Sequence, residues 1–259
     1  MPKRVLVIVP FPLDDDGVAN RRLQASAIEL GPDIEFDFEP VKAGAALLDS
    51  YHDTMLAELA LFEVGMTAQE RGYDAVCSDT MSDSGVNALR SALTIPVIGP
   101  GRASYLTALM LGQRFSVLTQ WDGWIPLYRK GIHEAGLDAH CASIRSINMR
   151  PDLKNLLGGK EEIVFPLLLA EAERCIEDGA DVICLGSTTM HQAHGFLTEH
   201  LPVPVINPGP LSYAIAHMLL VTGLSQSPTF YHRPEVPKVG MTAAMLAAAR
   251  AYEADQAQR

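Results

Sequence analysis

Short runs of β-branched and other apolar residues alternate along the chain with longer segments of helical periodicity. Because each run has the length of a strand and lies between turn signals, we interpret these runs as buried strands. They are Val5–Val9, Ile34–Phe38, Ala75–Cys77, Val97–Ile98, Phe115–Thr119, Ala142–Ile147, Val182–Leu185 and Val205–Ile206. Strands that alternate with helices are typical of βαβ units, so the pattern predicts an α/β fold with parallel sheets.

The order of elements repeats within the chain at a spacing of about 107 residues. The two copies are Asp74–Thr80, a helix and Ile95–Gly101, and then Asp181–Ser187, a helix and Val203–Gly209. Thr80 and Ser187 therefore hold the same place after the two strands. Repeated halves of this kind pack as two similar lobes, and we expect the loops at the carboxyl ends of both sheets to face a shared cleft.

The repeat divides the chain into two lobes and a tail. We predict a first lobe over residues 1–113, to which residues 208–224 can return, and a second lobe over residues 114–207. Residues 225–259 form the tail, with a proline-rich arm at Ser225–Lys238 and an alanine-rich helix at Met241–Gln258. We expect the arm to pack on its own domain or on a neighbouring subunit.

The composition argues against several classes of protein. A net charge of −11 argues against a nucleic-acid binder, because binding to phosphate backbones depends on clustered Lys and Arg. The apolar run near the N-terminus is too short for a signal sequence or a membrane span. The four cysteines form no CxxC pair and no metal-binding spacing. We therefore expect a reduced, cytoplasmic protein that binds neither a membrane nor nucleic acid.

Two loops that follow predicted strands carry the hydroxyl groups of a candidate site. Ser78–Gly85 and Gly186–His191 each leave a strand and open a helix, where backbone N–H groups and hydroxyls favour an anion. The alternative is that single side chains of these loops only cap helices, namely Ser82, Asp83 or Ser84 and Thr188 or Thr189. The recurrence of the loop favours a functional role for Thr80 and Ser187 together.

His191 follows the second loop and is the candidate general base, because a histidine beside a hydroxyl can activate it. His194 lies nearly one helical turn further, and we expect it on the exposed side of the helix. No carboxylate or third histidine joins the pair at metalloenzyme spacing, so we predict no metal.

Two further features follow the first strand. Asp14–Gly17 lacks the ligand pattern of a calcium loop, and we interpret it as a solvated turn. Asn20–Arg22 is predicted to open a helix, at which an arginine can hold a substrate carboxylate.

Nine segments between about residues 5 and 220 carry a family resemblance. They are Ser50–Asp53, Gly72–Val76, Ser82–Gly85, Pro96–Gly99, Phe115–Thr119, Cys141–Arg145, Gly179–Ile183, Leu185–Gly186 and Pro204–Pro208. In order and spacing they resemble the aspartate/glutamate/hydantoin racemase superfamily, and within it the hydantoin and allantoin racemase branch. The resemblance implies two Rossmann-like lobes related by pseudo-two-fold symmetry, an active site in the cleft between them, and a homo-oligomer.

The resemblance also implies a cofactor-independent racemase in which one cysteine of each lobe moves the proton α to a carbonyl group. The sequence departs from the family there, because Thr80 and Ser187 stand where the two cysteines are expected. Cys77 and Cys184 lie three residues earlier, within strands, and this odd offset turns them to the opposite face. We therefore expect both of these cysteines in the core.

Two hydroxyls in place of two thiols disable a symmetrical proton relay, because an aliphatic hydroxyl is rarely ionised at neutral pH, but they leave the anion-binding loops. We expect an enzyme that acts next to a carboxylate or amide carbonyl of a small nitrogenous or dicarboxylic metabolite, such as an imide or ureide. Hydrolase or lyase chemistry is favoured. The alternatives are a racemase or isomerase that uses His191 and another base, and a non-catalytic protein that binds a small ligand.

The predicted catalytic residues are Thr80, Ser187 and His191. The predicted substrate contacts are Pro10, Phe11, Met81, Ser82, Thr119, Gly186, Thr188 and Thr189.

Overall fold

The computed structural model describes residues 2–45, 47–151 and 161–257, and the chain forms two compact units. The first unit contains the described residues up to Asp79, Ser84–Ile98 and the residues from Tyr213 onward. The second unit contains Thr80–Asp83 and Gly99–Ser212. The short segment that begins with Thr80 therefore belongs to the same unit as Ser187.

Parallel strands and helices alternate through both units. The strands are β1 (Lys3–Val9), β2 (Ile34–Pro40), β3 (Ala75–Ser78), β4 (Val97–Ile98), β5 (Phe115–Thr119), β6 (Cys141–Ser146), β7 (Val182–Leu185) and β8 (Val205–Ile206). The helices are α1 (Asp15–Arg22), α2 (Tyr51–Gly65), α3 (Val86–Ala92), α4 (Pro100–Leu111), α5 (Ile125–Glu134), α6 (Glu161–Glu177), α7 (His191–His200), α8 (Pro208–Thr222) and α9 (Val239–Ala257). Every strand predicted from the sequence is present.

The first unit is built on a four-stranded parallel sheet in the order β2-β1-β3-β4. β1 pairs with β2 on one side and β3 on the other, and its residues Val5–Val9 are fully buried. A strand that is covered on both faces has a continuous apolar sequence, as β1 does.

Two predictions about the segment after β1 are wrong. The carboxylate of Asp14 accepts a hydrogen bond of 2.9 Å from the Gly17 N–H and caps α1, so Asp14–Gly17 is a helix start and not a free turn. Asn20–Arg22 is the last turn of α1 and does not open a helix. The acidic first turn and the basic last turn of α1 match the helix dipole, which explains this polarity.

The second unit is built on a four-stranded parallel sheet in the order β6-β5-β7-β8. On one face, Leu118 of β5 and Leu185 of β7 join a core cluster with side chains of α6 and α7. On the other face, Tyr105 of α4 stacks on Phe115 of β5 at 5.2 Å between ring centroids. The predicted α/β class with two parallel sheets and flanking helices is thus confirmed.

α4 packs differently from the division made on the sequence, which placed residues 100–111 in the first lobe. The helix contacts β5, β7 and α5 of the second unit. The Sγ of Cys184 in β7 lies 3.8 Å from the carbonyl oxygen of Ser104 in α4. The contacts of α4 therefore lie with strands that follow it in the sequence, one of them about seventy residues later.

The proline-rich arm Ser225–Lys238 contains neither helix nor strand, as predicted, and packs on its own unit. The Gln226 side chain accepts a hydrogen bond from Val97 N–H at 3.2 Å and donates to the carbonyl groups of Leu93 and Ile95. The arm thereby satisfies main-chain groups at and before β4, the edge strand of the first sheet. α9 follows the arm, and Gln258, where the sequence ended this helix, lies outside the described residues.

Within the described ranges, every helix is too short or too polar to cross a lipid bilayer.

Candidate active site

The first candidate loop, Thr80–Asp83, carries a pair of neighbouring hydroxyls. The Oγ1 of Thr80 lies 3.0 Å from the Oγ of Ser82 and accepts a hydrogen bond of 3.4 Å from the Ser82 N–H. Thr80 and Met81 are buried, and Ser82 is half-buried. A hydroxyl that accepts an N–H in this way keeps its own proton for donation to another acceptor.

Asp83 anchors this loop to the start of α4. Its backbone is left-handed, with φ of 53°, and its carboxylate accepts hydrogen bonds of 2.8 Å from the N–H groups of both Gly101 and Arg102. Capping by Asp83 was one of the alternatives that the sequence left open, and the helix that it caps is α4. A Cβ on Gly101 would lie 2.3 Å from the Met81 carbonyl oxygen, so this position needs a glycine for the loop to approach the helix.

The second candidate loop, Gly186–Met190, carries the same kind of hydroxyl pair. Ser187 is extended, and its Oγ lies 2.7 Å from the Oγ1 of Thr189 and accepts the Thr189 N–H at 3.3 Å. It caps a short 3-10 turn, Thr188–Met190, after which α7 begins at His191. The residue that caps is thus Ser187 and not Thr188 or Thr189, and the local geometry repeats that of Thr80 and Ser82.

A buried tyrosine supports the second loop through hydrogen bonds. The hydroxyl of Tyr128 in α5 donates to the Gly186 carbonyl at 2.6 Å and lies 2.8 Å from the Thr119 Oγ1. A Cβ on Gly186 would come within 2.8 Å of the Thr119 Cβ, so the glycine permits this close contact. Thr119 was predicted as a substrate contact, which stays a prediction; its side chain is fully buried beneath the loop.

The two loops lie at the same edge of the second unit because α4 runs antiparallel to β7. The Asp181 carboxylate at the start of β7 accepts hydrogen bonds from the N–H groups of Gln113 and Arg114, just after α4 ends. Ser104, near the start of α4, lies beside Cys184 further along β7. The start of α4, to which Asp83 is bound, is therefore at the carboxyl end of β7, where Ser187 follows.

The two candidate histidines have different surroundings. His191 is the first residue of α7, is partly buried, and follows Ser187 by four residues. His194 was expected on the exposed side of the helix, but it is half-buried and its Nε2 lies 3.1 Å from the Val205 carbonyl oxygen. His194 thus holds α7 against β8. In the described part of the chain, no three His, Cys, Asp or Glu side chains form a group that could hold a metal ion.

Of the two arginines that were candidates to hold a substrate carboxylate, Arg22 is exposed and Arg21 is paired within the protein. Arg21 is buried in the first unit, and its Nη1 donates to the Asp79 carboxylate at 3.1 Å. Gln24 donates to the same carboxylate at 3.2 Å. Breaking such a buried pair would leave an uncompensated charge, so Arg21 is committed to Asp79. Pro10 and Phe11 directly follow β1 in the first unit, with Pro10 buried and Phe11 half-buried.

Cys77 and Cys184 are both fully buried, as predicted. Burial raises the pKa of the Cys184 thiol well above its ordinary value. Burial likewise raises the pKa of Cys141 and of Cys175 to about 11. At neutral pH these three thiols are protonated, and none is suited to abstract a proton.

The fold and the paired loops can be compared with known proteins. Residues 19–216 match the family model described as Asp/Glu/Hydantoin racemase. The chain belongs to the Asp/Glu/hydantoin racemase family. It is 32% identical over 177 residues to the hydantoin racemase of Rhizobium meliloti, an alignment that covers 66% of this chain and 72% of the relative.

Two solved structures of allantoin racemases have the same fold. The allantoin racemase from Pseudomonas fluorescens superposes with a TM-score of 0.81 at 28% identity, covering 91% of this chain and 98% of that one. The allantoin racemase from Klebsiella pneumoniae gives 0.81 at 26% identity, covering 91% and 95%. The resemblance to hydantoin and allantoin racemases is thereby confirmed. The replacement of two family cysteines by Thr80 and Ser187 stays a prediction.

Sequence reasoning identified the hydroxyl loops of this candidate site but missed the residue that supports the second loop. Tyr128 contacts Gly186, 58 residues later in the chain. No local pattern connects the two residues, because the contact forms only when α5 packs beside β5 and β7.

Proposed function

We propose that the second unit binds a cyclic ureide or imide, such as a hydantoin, and moves the proton on the carbon next to its carbonyl group without using thiols. The observation that carries this proposal is the matched pair of hydroxyl loops at one edge of the unit. Thr80 with Ser82 and Ser187 with Thr189 have the same spacing and the same main-chain contact. The names of the similar proteins, hydantoin racemase and allantoin racemase, support the class of ligand.

The contacts of the loop hydroxyls favour donation over proton abstraction. Because the Ser187 Oγ already accepts an N–H, its basicity is reduced, and one O–H of the Ser187–Thr189 pair remains available for donation. Fixed donors of this kind stabilise the negative charge that develops on a carbonyl oxygen as the proton leaves the adjacent carbon. In this proposal Thr80 and Ser187 hold the carbonyl oxygens of the ligand.

His191 is the proposed base. Its imidazole takes the proton from the carbon, and the electron pair of the broken C–H bond moves to the carbonyl oxygen to give an enolate. Return of this proton by His191 to the same face of the carbon restores the ligand, and delivery of a proton from a water molecule to the opposite face inverts it. This chemistry needs no cofactor, because the ligand supplies both the acidic carbon and the carbonyl oxygen.

The preference for a hydrolase or lyase has no support in the family comparison, and it stays a prediction drawn from the missing thiols. The expectations of a homo-oligomer and of a cytoplasmic location also stay predictions.

Exchange of the ligand's proton in D₂O tests the proposal. A single enantiomer of a 5-substituted hydantoin, and separately of allantoin, is incubated with the protein while ¹H NMR follows the α-proton. We expect exchange faster than in buffer, and a Ser187→Ala variant slower by about 100-fold, the usual effect of losing one such donor. A Thr198→Val variant, altered at an exposed position of α7, is the matched control. Exchange no faster than in buffer, or full activity of Ser187→Ala, would overturn the proposal.

A further inference from the structure

Two buried amide side chains flank the second hydroxyl loop. Gln120 follows β5 and is 2% exposed, and Asn207 follows β8 and is 8% exposed. Neither the Oε1 of Gln120 nor the Oδ1 of Asn207 has a hydrogen-bond partner within the described ranges, although both atoms are shielded from solvent. A buried acceptor without a partner costs about 1–3 kcal/mol, which calls for a reason.

The register of the second sheet places both side chains beside Ser187. Leu118 of β5 pairs with Leu185 of β7, so Gln120 is level with Ser187, two residues further along both chains. Cys184 of β7 pairs with Ile206 of β8, so Asn207 directly follows the other neighbouring strand end. Because β7 lies between β5 and β8, the two amides flank the loop, about 10 Å apart at the strand level.

The three residues lie just beyond the ends of adjacent strands. Leu118, Leu185 and Val205 all contact the core cluster of α6 and α7. Gln120, Ser187 and Asn207 each follow one of these three by two residues, past the ends of β5, β7 and β8. The amides and the Ser187 hydroxyl therefore belong to the same edge of the second sheet.

The sequence around Asn207 removes one of the two usual partners of its side-chain oxygen. The Asn207 carbonyl accepts the Leu211 N–H at 3.1 Å, so Asn207 is in the N-cap position of α8. An N-cap side chain normally accepts the N–H of the second or third helical residue, and the third is Pro210, which has none. In the first copy of the internal repeat, Gly99 holds the position that Asn207 has in the second copy. There the Asp83 side chain accepts the N–H groups of Gly101 and Arg102 at the start of α4.

We propose that Gln120 and Asn207 recognise the N–H and carbonyl edges of the ligand ring and so determine its specificity. This inference rests on the proposed function. A primary amide has one acceptor and two donors, and it pairs side by side with an N–H next to a C=O, as amide side chains do with adenine. A cyclic ureide has such edges, and hydrogen bonds of about 2.9 Å on both sides of a small ring span a distance comparable to the separation of the two strands.

Binding of two ligands that differ only in N–H groups tests this assignment. Hydantoin and 1,3-dimethylhydantoin are titrated calorimetrically into the wild-type protein and into Gln120→Met and Asn207→Leu variants, which keep side-chain size. We expect the wild-type protein to bind hydantoin at least 10-fold more tightly. Each variant should lose about 10-fold in hydantoin affinity, the equivalent of one hydrogen bond, with unchanged affinity for the dimethyl compound.

The controls separate this inference from the proposed function. Gln113→Met replaces an exposed glutamine just before β5 and should bind both ligands as the wild-type protein does. If the wild-type protein discriminates against the dimethyl compound and both variants keep that ratio, only the assignment of Gln120 and Asn207 is overturned. Equal loss of both ligands would show a structural role and also overturn it. If the wild-type protein does not bind hydantoin, the proposed function fails and this inference with it.

Discussion

The hydrogen bonds of Tyr128 predict a large effect from the loss of one oxygen atom. The Tyr128 hydroxyl donates to the Gly186 carbonyl and contacts the Thr119 Oγ1, and all three groups are buried. A Tyr128→Phe variant keeps the ring but removes both contacts. Because a buried polar group without a hydrogen-bond partner costs about 1–3 kcal/mol, we expect a loss of about 2 kcal/mol in the free energy of unfolding.

A double-mutant cycle isolates the bond between Tyr128 and Thr119. Thr119→Val preserves shape and leaves the bond to Gly186 in place, so we expect it to cost about 1 kcal/mol. The combined variant leaves only the Gly186 carbonyl without a partner, so its cost should fall short of the sum by about 1 kcal/mol.

Urea unfolding followed by circular dichroism measures these differences, with Tyr252→Phe as the matched control. Tyr252 is 66% exposed, and loss of its hydroxyl should change stability by less than about 0.5 kcal/mol. Hydrogen exchange at Ser187–Met190 should accelerate in Tyr128→Phe, because the support beneath Gly186 is lost. A Tyr128→Phe variant as stable as the control, or strict additivity in the cycle, would refute this description of the loop support.

Three further predictions concern charge, thiols and packing. Arg145 donates hydrogen bonds to Asp178 and lowers the pKa of that carboxyl group from 3.8 to about 2, so the carboxylate adds stability above pH 4 that is lost between about pH 4 and 2. In Asp178→Asn the urea midpoint should therefore change less across that pH range than in the wild-type protein. An unchanged pH profile would contradict this. The four free cysteines are buried or half-buried, so the native protein should react with a thiol reagent at pH 8 far more slowly than glutathione does. A rapid reaction of all four thiols would contradict their burial. Gly101→Ala places a methyl group 2.3 Å from the Met81 carbonyl oxygen, whereas the Cβ added in the control Gly195→Ala meets nothing within 4 Å. The Gly101→Ala variant should therefore unfold at a lower temperature than the control. Equal unfolding temperatures would contradict the packing of this loop.

The strands could be predicted because of their environment. β1 and β7 lie inside parallel sheets covered on both faces, and such strands appear as uninterrupted apolar runs. Helix α1 was missed at its start because its three aspartates resemble a solvated turn. Asp14 is an N-cap, and Asp15 and Asp16 occupy the first turn, where the helix dipole favours negative charge.

The candidate site could be predicted only where the sequence repeats itself. Thr80 and Ser187 were found because equivalent loops carry them, and a single hydroxyl would have been interpreted as a cap. The contacts of Tyr128 depend on packing between distant segments, so no sequence pattern indicates them. Asn207 does leave a local signal: an asparagine followed by Pro-Gly-Pro offers an N-cap oxygen while removing a donor that would normally bind it.

The central claim is that Thr80 and Ser187 occupy the two positions around one ligand from which family racemases are expected to move a proton. The most direct test is the rate at which a Thr80→Cys/Ser187→Cys double variant racemises an enantiomer of a 5-substituted hydantoin, followed by circular dichroism. If the claim is correct, the double variant gains two-thiol racemisation and exceeds the wild-type protein and both single variants by at least about 10-fold. A double variant no faster than the single variants would contradict it.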